Sequence, residues 1–331
     1  MSTPQQILHV VADLDGYRLT RQLELLVQQQ LHQGQKVRLV ALTAAQEAVA
    51  TFRHLGVECR VLDRRWRRDP FAAIRLAREL RRQSTDVLHL WGQPAIDYLS
   101  AIRRIPWFTA LALPTQIISP HNCGISPGIA LPRPTAVSRQ QFLDEQLLPA
   151  DAILIAVAGP LNRAQQVDEA IWYFELVRTL DERVRLLIFG DGPERHRLER
   201  FSRLAAEPST IRFLGYRTDF RELLPHADLF WQTAVADEAL PLTMLEAMAA
   251  GVPVVANENP AWRQVITNGD NSYLVPDKDR AAFARQTLQL VHDAQQAEKM
   301  SASATRMIAE HFSVEIMAQA YARLYAQLAN R

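Results

Sequence analysis

Residues 238–251 read EALPLTMLEAMAAG and run into VPVVAN. Two glutamates, Glu238 and Glu246, stand eight positions apart with a proline and apolar residues between them. Pro241 suits the first position of a helix, where its missing N–H would have no partner in any case. Gly251 suits the stop, and VPVVA resumes an apolar, strand-like run. The stretch therefore reads as loop, short helix, turn and buried strand, which is one step of an α/β layer fold. Glu238 falls in the loop and Glu246 near the middle of the helix. The first backbone N–H groups, around Leu242 and Thr243, have no partners inside the helix and can hold an anion such as a diphosphate. Carboxylates placed before and inside such a helix start are good acceptors for the paired hydroxyls of a sugar or a ribose. A structural reading competes on spacing alone: Glu238 supports the helix start electrostatically, and Glu246 is an exposed helix residue.

The same alternation extends in both directions. ILHVVADL, KVRLVALT, residues 57–62, DVLHLW and IPWFTALAL read as strands in the first half. RLTRQLELLVQQQLHQG and DPFAAIRLARELRRQ read as helices, the second with Pro70 at its start. Residues 112–140 are rich in Pro, Gly, Ser and Asn and read as loop and linker. A second alternating run starts at DAILIAVAG, continues through RVRLLIFG, the turn DGPE, IRFLGY and ADLFWQ, and closes with two helices, the last being SVEIMAQAYARLYAQLA. The expected class is α/β, with two doubly wound, Rossmann-like domains facing a cleft and ligands beyond the carboxyl ends of the strands. The expected division is residues 1–145 and 146–313, with a C-terminal helix at about 314–331 returning to the first domain.

Composition agrees with this reading and narrows it. A chain of 331 residues is long enough for two domains of ~150 residues each. The net charge of +1 gives no global field for nucleic acid. The two cysteines, Cys59 and Cys123, form no metal spacing or disulfide framework, which fits a reducing compartment. The N-terminus shows no signal-peptide pattern, and no apolar run approaches the ~20 residues that span a bilayer. The expected location is cytoplasmic, with peripheral contact at the inner face of the membrane as an option. No strand is followed by GxGxxG with a later acidic residue, which argues against a dinucleotide oxidoreductase.

The segments EALPLTMLEAMAAGVPVVANENPAWRQVITNGDNSYLVPDKD, IFGDGPERHRLE, IRFLGYRTDFRELLPHADLFW and FSVEIMAQAYARLY together resemble the retaining glycosyltransferases of the GT-B fold, family 4, also called glycosyl transferases group 1. The resemblance covers about residues 151–328 and is looser over 1–111. It implies transfer of a sugar from a nucleotide diphosphate sugar to an acceptor with retention, without a metal or other cofactor. It places Glu246 on the ribose hydroxyls and Glu238 on the donor sugar, as a catalytic residue. Leu240, Pro241, Leu242 and Thr243 form the segment facing sugar and phosphates, and the base lies near Tyr216 and Arg217. Gly159, Arg163, Gln165 and Gly190 join this donor set, with Gly16 and Arg18 on the opposite wall. His89, at a strand end facing the cleft, takes the second catalytic place, near the acceptor, with packing or a backbone hydrogen bond as its structural alternative.

Three departures concern the diphosphate. In GPLNRAQQVDEA, Pro160 stands where the family has an arginine and Gln165 where it has a lysine. In DLDGYRLTRQ only Gly16 of the usual paired glycines remains, with Arg18 as a replacement charge. Ala110, Leu111 and Ala112 occupy the place of the family's active-site histidine. These losses support an alternative, a catalytically weakened or inactive GT-B-like protein that acts as a binding or regulatory partner in glycan assembly. Asp13, Asp15, His121, Asn122 and Asp191 read as turn, cap or loop residues. The run RRWRRDPFAAIRLARELRR, residues 64–82, is strongly basic around Trp66. It reads as a solvated helix face or as a contact with an anionic membrane leaflet or an acidic or lipid-linked acceptor.

Overall fold

The computed structural model describes residues 6–14, 17–67, 69–82, 84–104, 116–118, 124–132, 135, 137–207, 209–234 and 240–329. The chain divides into two units, residues 1–128 with 312–331, and residues 129–311. The sequence expectation had placed 129–145 with the first unit. Arg139 ties them to the second, donating to the Ala152 carbonyl at 2.9 Å and pairing with Asp228 at 2.7 Å.

The first unit contains β1 (Gln6–Val11), α1 (Tyr17–His32), β2 (Lys36–Ala41), α2 (Gln46–His54), β3 (Glu58–Val61), α3 (Pro70–Arg82), β4 (Val87–Trp91), α4 (Gln93–Arg104) and β5 (Gln116–Ile118). Its strands are parallel in the order β3-β2-β1-β4-β5. The inner strands β1 and β4 are almost wholly buried. This is why they read as continuous apolar runs and not as alternation. Helices α2 and α4 had no place in the sequence reading. A parallel pair needs a long crossover, and these two helices supply it between β2 and β3 and between β4 and β5. The strand expected in IPWFTALAL lies outside the described residues.

The second unit contains α5 (Arg139–Glu145), β6 (Ile153–Ala158), α6 (Val167–Arg178), β7 (Val184–Phe189), α7 (Arg195–Ala205), β8 (Ile211–Gly215), α8 (Phe220–Leu223), β9 (Leu229–Gln232), α9 (Leu242–Ala249), β10 (Val254–Asn257), β11 (Tyr273–Val275), α10 (Arg280–His292) and α11 (Ala294–His311). The parallel order is β11-β10-β9-β6-β7-β8. Phe174, Trp231, Tyr173 and Phe283 form its packed aromatic centre. Three helices close the chain, not two, because α10 and α11 break at Asp293. The last, α12 (Val314–Ala329), belongs to the first unit and packs on α1. Among the described residues no helix is long and apolar enough to cross a membrane.

A buried polar chain fastens α12 to the first sheet. Trp91 Nε1–H can only donate, and it meets His9 Nδ1 at 3.0 Å. The proton of His9 therefore sits on Nε2, which donates to Gln30 Oε1 at 2.9 Å. Gln30 donates to the Tyr325 hydroxyl at 3.2 Å, and that hydroxyl meets His89 Nδ1 at 2.9 Å. Burial pushes His9 down to about 4, against the opposing pull of its bond to Gln30, and pushes His89 well below the usual imidazole range. Both rings fold neutral, whereas an unfolded histidine gains a proton below about 6.5. Stability from His9 is therefore full above that pH and is lost as the pH falls toward 4, by ~3 kcal/mol. Thermal unfolding followed from pH 7 to 4.5 should show this loss. His9→Gln, which cannot titrate, should flatten the slope.

Candidate functional site

In the second unit β6 is flanked by β7 on one side and β9 on the other, so the winding reverses between β6 and β9. Ligands in open α/β sheets bind outside the carboxyl ends of the strands at such a point. The segments emerging there are the loops after β6, β7, β8 and β9, the last leading into α9.

Helix α9 is almost entirely buried, and its N-cap is Pro241, whose side chain makes no cap bond. The Thr243 hydroxyl donates to the Ala158 carbonyl at 3.1 Å, which fixes the helix start over the end of β6. Glu246 lies three positions on, on the same side of the helix as Thr243. It is only 6% exposed, among Leu242, Met244, Leu245, Ala247 and Met248. The competing reading of an exposed helix carboxylate therefore does not hold, and burying a carboxylate is costly unless its environment holds the charge. The helix ends as the sequence suggested. Gly251 takes φ 72° and donates to Met248, while Val252 donates to Ala247, a closed Schellman turn. Leu240 and Leu242 are buried beside this start. Glu238 lies outside the described residues, as do Gly16, Asp15, His121, Asn122 and Ala110 to Ala112.

The loops after β6 and β7 are held against each other by glycines. Gly159 donates to the Phe189 carbonyl and Gly190 to the Gly215 carbonyl, at 3.1 and 2.7 Å. Gly190 has φ 119°, and a Cβ there would overlap the Gly159 carbonyl oxygen. A Cβ at Gly192 would meet the Leu161 carbonyl at 2.5 Å. Asp191 caps this turn by accepting from the Gly192 amide and pairing with Arg195 at 2.9 Å.

Gln165 is buried at the end of a 3₁₀ turn, and its own backbone amide donates to the Asn162 side chain at 3.1 Å. Its carbonyl accepts from Thr233 at 2.8 Å, its side-chain oxygen accepts from Gln232 at 3.4 Å, and its amide group lies over Gly159. Gln232, the last residue of β9, and Thr233 just after it are additions that the sequence did not single out. Their only sequence signal is a polar pair closing a buried strand. Arg163 points outward, its side chain 89% exposed and 3.7 Å from Glu194. Tyr216 is 57% exposed at the end of β8. Arg217 beside it is committed to Asp219 through two bonds of 2.6 and 2.7 Å, and that fork holds the Asp219 carboxyl below its usual range.

Two residues of the first unit take other places than expected. His89 is the middle residue of β4, fully buried, with its ring 4.5 Å from the Trp91 ring and bonded to Tyr325 of α12. A place at a strand end open to ligand is corrected accordingly. Arg18 is exposed in the first turn of α1.

A doubly wound domain with a helix start, a glycine-paired loop and a buried carboxylate at its switch point has a design suited to a phosphate-bearing ligand. The comparisons agree with that class. The family model described as glycosyl transferases group 1 matches residues 138–307, and the chain belongs to that family. The N-acetyl-alpha-D-glucosaminyl L-malate synthase of Bacillus anthracis is 30% identical over 178 residues, 53% of this chain and 45% of that protein. The lipopolysaccharide core biosynthesis glycosyltransferase LpsE of Rhizobium meliloti is 28% identical over 269 residues, 74% of this chain and 77% of that protein. With other curated relatives the chain spans half of their length or less. Among solved structures, Anabaena HepE in complex with UDP and glucose superposes with a TM-score of 0.75 at 15% identity, covering 97% of this chain and 100% of that one. That likeness shows the GT-B fold.

Proposed function

We propose that the protein is a glycosyltransferase that takes a sugar from a nucleoside diphosphate sugar and passes it, with retention, to an acceptor. The observation that carries this reading is the buried Glu246 on α9, one turn inside a helix start that Thr243 ties to the end of β6. Glu246 takes the ribose hydroxyls, the amides of Leu242 and Thr243 take the phosphates, and Glu238 takes hydroxyls of the donor sugar. Tyr216 offers a ring face for the base. The family needs no metal, so charge developing on the leaving diphosphate is met by backbone amides, an electrostatic mechanism. Because HepE is described with UDP and glucose, uridine diphosphate sugars are the first donors to try.

A second reading rests on Gln165. This neutral side chain is buried over Gly159, where the family resemblance expects a lysine. Loss of a charge-assisted contact to developing charge costs a few kcal/mol, or ~100-fold or more in rate. The second reading is thus a protein that binds donor and turns it over weakly or not at all. Release of nucleoside diphosphate from a donor panel, with and without acceptor extract, separates the two. Consumption of one donor, with the anomeric configuration kept in the product, supports the transferase. Saturable donor binding with no consumption in any mixture supports the second reading.

A further inference from the structure

The loop before α3 and the outer face of that helix form a surface that the donor site does not use. Residues 64–82 carry eight arginines against two acids, in a chain whose net charge is +1. Helix α3 buries Ala72, Ala73, Leu76, Ala77 and Leu80 against the sheet. The opposite stripe, at helical spacing, is Phe71, Ile74, Arg78 and Arg82. Phe71 is 62% exposed and Trp66, in the preceding loop, 51% exposed. With Ile74, 37% exposed, they put three large apolar side chains in reach of water within one short basic segment, the kind of surface that marks an interaction site.

The two local acids do not neutralise this surface. Asp69 is buried and caps the start of α3, accepting from the amides of Arg65, Phe71 and Ala72, and Arg75 is the one arginine it pairs with among the described residues, at 3.6 Å. Glu79 is taken by Arg60 and Arg82 at the far end of the helix. Arg65, Arg67 and Arg78 have no ion pair among the described residues. Uncompensated cations therefore flank Trp66 and Phe71, and their long stems let the charges rise beside the rings.

We propose that this face docks on an anionic lipid leaflet, with Trp66 and Phe71 entering the headgroup boundary and Arg65, Arg67 and Arg78 meeting lipid phosphates. Charge complementarity selects an anionic partner. The two exposed rings select a lipid surface over a soluble polyanion, which would need only the cations. This inference is independent of the donor chemistry.

Flotation of the full chain with vesicles tests it, using phosphatidylcholine alone and phosphatidylcholine containing about one-third phosphatidylglycerol. Binding is expected only to the anionic vesicles and should weaken as salt is raised. Arg65, Arg67 and Arg78 changed together to Gln should lower partitioning by ~100-fold, since each basic residue near such a surface adds roughly a factor of five. Trp66→Ser with Phe71→Ser should lower it by ~10-fold or more, while leaving retention on a heparin column unchanged. Unchanged thermal unfolding shows that the surface variants remain folded. No flotation with anionic vesicles at low salt overturns the proposal. So does flotation indifferent to the two aromatic residues, which marks an acidic polymer site instead.

Discussion

Replacing Glu246 by Gln is expected to weaken nucleotide binding by ~100-fold while leaving the fold in place. The carboxylate sits one turn inside α9, on the side that Thr243 fastens to β6. Gln keeps the volume and one acceptor oxygen but loses the charge. Hydrogen bonds to a charged group are worth ~1.5–3 kcal/mol against ~1 for neutral ones. With two ribose hydroxyls on one carboxylate, the difference is ~2–3 kcal/mol, which sets the stated loss. Calorimetric titration of both proteins measures it, with thermal unfolding as the control. A variant that melts early yet binds nucleotide with undiminished affinity would assign Glu246 to the helix and not to the ligand.

Gly190→Ala should be the most damaging single methyl group in the second unit. The residue holds φ 119°, outside the range an L side chain adopts easily, and the new Cβ would overlap the Gly159 carbonyl oxygen. The obstacle is backbone, so no side chain can rotate away. The loops after β6 and β7 must separate, at a cost of ~4 kcal/mol from strain and overpacking together. For a unit of this size that is a fall of ~10 °C in Tm. The donor loop also moves, so nucleotide affinity should fall with it. Gly269→Ala is the matched control: φ is 81° but nothing lies within 4 Å of the added carbon. Its cost should stay at the ~1–2 kcal/mol of the left-handed conformation alone. Equal losses in the two variants would mean that the Gly190–Gly159 approach is not tight in solution.

The layer pattern was legible because buried parallel strands leave unbroken apolar runs such as LHVV and LIAVA, and because Gly251 closes α9 in the one conformation that favours glycine. Helices α2 and α4 were less visible. Helix α2 begins at an Ala45 N-cap without a capping side chain, and α4 carries no acid in its first turn, so neither announces its start. His89 could not be placed from its own neighbourhood. What encloses it is Tyr325, 236 positions away, and a contact at that separation has no local signature. The commitment of Arg217 was written nearby, since Asp219 follows two positions on, yet only geometry shows both guanidinium bonds made. Spacing alone left two readings of Glu246 open, an exposed helix residue and a carboxylate facing a ligand. Spacing gives the face a residue occupies, and the packing of α9 between β9 and α11 decides whether that face is open.

The central claim is that the second unit binds a nucleoside diphosphate at the switch point between β6 and β9. Titration of the full chain with a panel of nucleoside mono-, di- and triphosphates tests it most directly. Saturable, one-to-one binding of at least one nucleoside diphosphate is expected, weakened in Glu246→Gln. Absence of binding by every nucleotide at millimolar concentration, from protein that melts cooperatively, would contradict it.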